Sequence, residues 1–284
     1  MHGSSVLPRA DVNKFCIELR LLFIGILAAI LPLGLMLYFY PTGTELFWAW
    51  VMPNSRSATL LGAGYVGLVS YALIALVENR WIQVRGGLGA VSAFSLVLMF
   101  ATILHWDSFR PYHPVTIIWL TLYYSAPFLV PIISRLQATR GEPEDPRGVE
   151  LSQAWHGWLL VRSLIYMAIA LFVLIFAEWI AGQWPWPIQP LELRVFMGQF
   201  VVIGWGAVIA LRGGNRYLWH YRVGLTVSAA MGLLQLLGFV VNPTPYDWST
   251  PFGIILPLIF AEWVITPLLI MLLYGRKRKV GIGD

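Results

Sequence analysis

Eight continuous apolar runs constrain this chain more than anything else in it. They cover roughly residues 17–40, 58–77, 87–105, 115–133, 157–179, 195–211, 223–241 and 252–274. A membrane-spanning helix needs about 20 mostly apolar residues, whereas a spanning strand needs about ten that alternate. Runs this long and unbroken predict an all-α integral membrane protein with eight transmembrane helices. Composition agrees. Only 12% of the residues are charged and 58% are hydrophobic; a soluble domain carries about 25% charged residues. So few charges cannot cover a water-facing surface, and most of the surface must face lipid.

Lys and Arg set the expected orientation. With the amino terminus inside, Arg56, Arg110 and Arg194 fall on outer segments, and the rest of the 19 basic residues fall on inner ones, Arg162 included. Both termini are therefore expected in the cytoplasm of a cell-membrane protein. The opening "MHGSSVLPRADVNK" offers no cleavage site after a short apolar core, so the first run reads as a retained helix. The net charge of +5 is a topology signal, and no basic, aromatic-interleaved face calls for nucleic acid. Cys16 is the one cysteine, which excludes an intrachain disulfide and a thiol metal site built from this chain alone.

The chain also resembles itself. "FWAWVMPNSR" at 47–56 matches "QWPWPIQPLELR" at 183–194, and "RPYHP" at 110–114 matches "TPYDW" at 244–248. The expectation is two tandem, parallel four-helix repeats, at 15–135 and 155–275. A tail at 1–14, a polar linker at 136–154 and a basic tail at 276–284 complete the chain. An even number of spans inserts both repeats the same way up, related by an axis along the membrane normal.

The tetrapeptide FAEW occurs twice. Glu178 lies about 30 Å along the fifth run, near the outer surface, and reads as an interfacial carboxylate. Glu262 lies about 15 Å into the eighth, at the midplane. A carboxylate there is costly and should face the bundle interior, protonated or paired. It is read either as part of a polar cavity with Gln235, Gln199, Tyr123, Tyr124 and Ser125, or as a glutamate bonded to a carbonyl that a proline has freed. Prolines 127, 131, 257 and 267 should kink the fourth and eighth helices. Arg56 and Arg194 begin the second helix of each repeat. With Trp48, Trp50, Trp184 and Trp186 they either line an outward-facing, substrate-binding mouth or anchor the loops in headgroups.

Other motifs point away from chemistry. "GAGYVG" at 62–67 has the dinucleotide spacing without the preceding strand; its glycines read as close helix contacts. His105, Asp107 and His113 share an outer loop, but Arg110 can pair with Asp107, so neither metal nor any other cofactor is expected. The functional expectation is binding or transport of a small amphiphilic or lipid-like solute. The alternatives are an accessory subunit of a larger membrane complex and a lipid-modifying enzyme using the histidine loop. Expected partners are membrane lipids, a small-molecule solute, and other membrane subunits or further copies of the chain.

Overall fold

The computed structural model describes residues 12–141, 148–212 and 217–275. These residues form an all-helical bundle. Eight helices are long and apolar enough to cross a membrane. They are α1 (Ile17–Phe39), α2 (Ser55–Glu78), α3 (Trp81–Leu104), α4 (Pro114–Ala138), α5 (Gln153–Ala181), α6 (Pro190–Leu211), α7 (Leu218–Val241) and α8 (Pro251–Gly275). This is the architecture of a multi-pass membrane protein. Each helix contains most of an apolar run and all but α1 extend past it; side chains cap the starts of α2, α4 and α5. Asn54 Oδ1 accepts from the Arg56 N–H at the start of α2. Asn79 ends α2 in the left-handed conformation, which asparagine tolerates better than most residues.

The loops at 40–54, 105–113, 182–189 and 242–250 share one end of the bundle, here the tryptophan end. The carboxyl-terminal ends of α2, α4 and α6 share the other, the basic end. The central helices pair as α2 with α7 and α3 with α6; α1 and α5 flank α2 and α6, while α4 and α8 flank α3 and α7. The glycines of "GAGYVG" explain the tight centre. A Cβ on Gly62 would sit 2.6–2.7 Å from the α1 backbone, one on Gly64 would strike the Gln199 amide, and one on Gly67 would strike Met231. One short motif therefore gives α2 close contact with α1, α6 and α7.

The prolines do not interrupt their helices. α4 and α8 run as single helices through theirs; the non-helical backbone lies in α5, at Phe176. Proline removes the N–H that would have bonded the carbonyl four residues earlier. In three cases a hydroxyl on another segment replaces it. Ser92 donates to Pro127 O, orphaned by Pro131; Tyr246 donates to Gly253 O, orphaned by Pro257; and Ser228 donates to Trp263 O, orphaned by Pro267. Freed carbonyls in lipid must be satisfied internally.

At the basic end, residues 13–16 form a strap. The Cys16 N–H donates to Gln137 Oε1 at 2.6 Å, the Gln137 amide donates to Lys14 O, and Trp81 N–H donates to Asn13 O. Nearby, Glu150 and Tyr217 make an isolated antiparallel bridge that pins the linker to the start of α7.

Candidate functional site

Arg162 stands about 14 Å along α5 from Gln153, inside the span, and its side chain is 5% exposed. Its Nε donates to Glu262 Oε1 at 2.6 Å, and the Tyr166 hydroxyl donates to the second carboxylate oxygen at 2.5 Å. Arg162 also donates to Ser228 Oγ at 2.8 Å. Since Ser228 serves the carbonyl freed by Pro267, a chain of bonds joins α5, α7 and α8 at mid-height. A guanidinium cannot be deprotonated and its fork suits a carboxylate. Glu262 is therefore the paired carboxylate of the two readings, and its partner is not one of those expected. Counting Arg162 with the inner segments overlooked it.

Gln199 and Gln235 do come together, but elsewhere. The Gln235 amide donates to Gln199 Oε1 at 2.6 Å and to Leu60 O at 2.9 Å. The result is a buried knot of α2, α6 and α7. Gln235 is seven residues from Ser228, so the knot lies about 10 Å along α7 from the charged group. Tyr124 is 38% exposed on α4, and Tyr123 takes the inward position.

The outer mouth is closed. Trp48, Trp50, Trp184 and Trp186 are all buried. Within each pair the ring centroids lie 5.5 Å apart, edge to face. Two backbone clasps hold these loops. Arg110 N–H donates to Ala49 O at 2.9 Å, and Asp247 N–H donates to Pro185 O at 2.8 Å. Arg56 is 2% exposed. It donates to Thr244 O and lies over the rings of Phe239 and Tyr246, at 4.9 and 5.3 Å. Arg194 grips Glu178 with two bonds of 2.9 and 3.0 Å and donates to Leu174 O, near the α5 kink. The first FAEW glutamate thus also meets an arginine, but at the bundle edge, 63% exposed. Glu192, buried in the first turn of α6, escaped the sequence reading. Its signal was a carboxylate between Pro190 and Arg194 where a helix start favours negative charge.

The histidine loop is engaged in structure. Arg194 Nη1 lies 2.6 Å from His105 Nε2, just beyond the end of α3. Arginine has only donors, so this nitrogen accepts, and the ring is neutral. Burial, then the Arg194 charge, hold the imidazole below its usual range. His113 caps α4 through Nδ1 and meets Leu46 O through Nε2. Among the described residues, no group of three His, Cys, Asp or Glu is placed to hold a metal.

What remains open is a cavity of about 310 Å³. It reaches from near the basic end to just past mid-height, and α1 through α7 all line it. Its wall is largely apolar, with aromatic faces from Tyr71 and Trp205. Glycines make the room. Gly87 and Gly89 let those two rings lie on α3, Gly206 lets α6 approach Ser163, and Gly224 has open space for at least 4 Å around the point a Cβ would occupy. Arg162 and Ser163 line it on α5. Of the residues expected from the sequence to touch a solute, Tyr123 and Ser125 line this wall, while Glu262, Gln235, Gln199, Tyr124, Arg56, Arg194 and the four tryptophans do not.

Comparison with family models, curated proteins and solved structures gave no match.

Proposed function

We propose that the chain binds or transports a small amphiphilic or lipid-like solute in the cavity between two pseudo-symmetric four-helix halves, 15–135 and 155–275. The cavity carries the reading. Ligand pockets are typically about 300–1,000 Å³, mostly apolar, with a few placed polar groups, and this one has that size and character. Its position moves the proposed site from the tryptophan end to the basic half. Arg162 takes the polar role, with Glu262 behind it.

Parallel repeats are supported by paired features. The clasps at Ala49–Arg110 and Pro185–Asp247 each tie a Trp-x-Trp loop to the loop before the fourth helix of the same half, and both Trp-x-Trp pairs share one geometry. The packing of α2 on α7 and α3 on α6 exchanges into itself when the halves are exchanged, as a two-fold axis along the membrane normal requires. The Lys and Arg distribution favours the basic end, and both termini, on the cytoplasmic side of a cell membrane.

The test is native mass spectrometry of protein extracted in mild detergent. The wild type should retain a small amphiphile. Gly224→Leu, which adds bulk where nothing lies within 4 Å, should lose it while staying folded. A wild type without adducts, or a variant retaining them equally, would overturn the cavity as the site. Co-purifying chains would favour the accessory-subunit reading instead.

A further inference from the structure

We infer that the cavity selects an amphiphile with an anionic headgroup, which Arg162 and Ser163 bind while the tail lies along the apolar wall toward α1 and α4. This rests on the proposed cavity site and names its ligand class. Among the described residues, the wall contains no Asp, Glu or Lys, and Arg162 is its one arginine. The balancing carboxylate, Glu262, lies on the far side of Arg162 and is not part of the wall. The pair therefore presents its positive member to the cavity. Beside it, Ser163 is 2% exposed and makes no hydrogen bond to a described residue, so its hydroxyl is available to a ligand. Three other polar wall groups are engaged. Tyr71 donates to Val84 O, Ser95 to Val91 O and Trp205 to Gly86 O. A guanidinium with an adjacent free hydroxyl in an apolar wall suits a carboxylate or phosphate, because a charge-assisted bond is strong where water is scarce.

The opposite wall fits an apolar tail arriving from the bilayer. Leu21 on α1 and Leu129 on α4 line the cavity and are 58% and 42% exposed. Gly25, also on α1, has open space where a Cβ would be. This side of the cavity is thus continuous with the lipid-facing surface.

The probes are radiolabelled palmitate and hexadecanol, which share a tail and differ in charge. Binding is measured at pH 8, where a carboxylate is ionised, on the full chain in nanodiscs of neutral phosphatidylcholine. Wild type should bind the acid at least about tenfold tighter than the alcohol, the range of a hydrogen bond to a charged group. Glu262→Gln should tighten palmitate, since it removes the carboxylate competing for Arg162; a merely structural role predicts no gain. Arg162→Gln with Glu262→Gln should abolish the preference and leave hexadecanol binding intact. Should that double variant fail to fold, Ser163→Ala should still weaken palmitate about tenfold, as loss of a hydrogen bond to a charged group implies, and weaken hexadecanol less. Acetate, which lacks a tail, should not compete. Equal binding of acid and alcohol, both blocked by Gly224→Leu, overturns the anion selectivity and leaves the cavity standing. No binding of either probe, or binding indifferent to Gly224→Leu, overturns the cavity reading and this inference with it. Full competition by acetate overturns the role of the tail.

Discussion

Pro267 shows how single residues organise this bundle. Its missing N–H leaves Trp263 O without a helix partner, and Ser228 both fills that gap and receives Arg162. Ser228→Ala should therefore orphan a carbonyl and a guanidinium N–H together. An unmet buried polar group costs about 1–3 kcal/mol. Pro267→Ala restores the N–H to Trp263 O, so the double variant should recover part of the loss. Unfolding can be followed with a thiol-reactive dye, since Cys16 is the chain's one cysteine and is buried. A coupling of about 0.5 kcal/mol or more between the two substitutions is expected for groups sharing a bond; strict additivity would detach Ser228 from that carbonyl. Much of this residue-level logic was legible in the sequence. The depth of Glu262 follows from counting, and so does each carbonyl that a proline frees. The partner was not legible. Arg162 lies 100 residues away, and linear distance says nothing of which helices become neighbours. Hydropathy further assigned that arginine to the edge of its helix, because it sits early in the run.

At the scale of the helix, apolar length alone predicted all eight spans, and their ends only approximately. The glycine motif at 62–67 was legible as close packing but not as a hub for three neighbours. Gly62 shows why the choice of residue matters. Its Cβ would meet Tyr38 N at 2.6 Å and Gly34 O at 2.7 Å, and backbone cannot swing aside as a side chain can. Gly62→Ala should push α1 from α2 and cost about 1–3 kcal/mol, the usual range for overpacking. Gly157→Ala, with nothing within 4 Å of the new methyl, should be neutral or slightly stabilising, because alanine favours helix over glycine. Thermal unfolding of the two variants in the same detergent separates these outcomes. Comparable losses in both would mean that helix geometry, not the α1–α2 contact, sets the need for glycine. The prolines of α4 and α8 act at this scale too. Hydroxyls from neighbouring segments take up the carbonyls freed by Pro131 and Pro257, and both helices stay continuous.

For the molecule as a whole, the sequence indicated that helices would gather into a bundle but not which would meet. Self-similarity invites a picture of two self-contained four-helix units. The central contacts instead run between the halves, α2 with α7 and α3 with α6. Within lipid, burying apolar surface gives helices little reason to associate, so packing and polar bonds must hold them. Those bonds cross between the halves. Gln235 donates to Leu60 O, Trp205 to Gly86 O, Trp186 to Ser57 Oγ and Asn242 to Ser55 Oγ, while Arg222 pairs with Glu78. Either half alone would leave such groups facing hydrocarbon, so neither should be stable without the other. The covalent linker is not needed for this association, because the bonds lie far from it along the chain. Coexpression of residues 1–147 and 148–284 as separate chains should therefore give a complex in which a tag on the first half retains the second through mild detergent. Gln235→Leu, which removes the donor to Leu60 O, should weaken that retention. If each half instead purified alone as a monodisperse, folded species, the cross-half contacts would not be what holds the bundle, and a cavity between the halves would lose its walls.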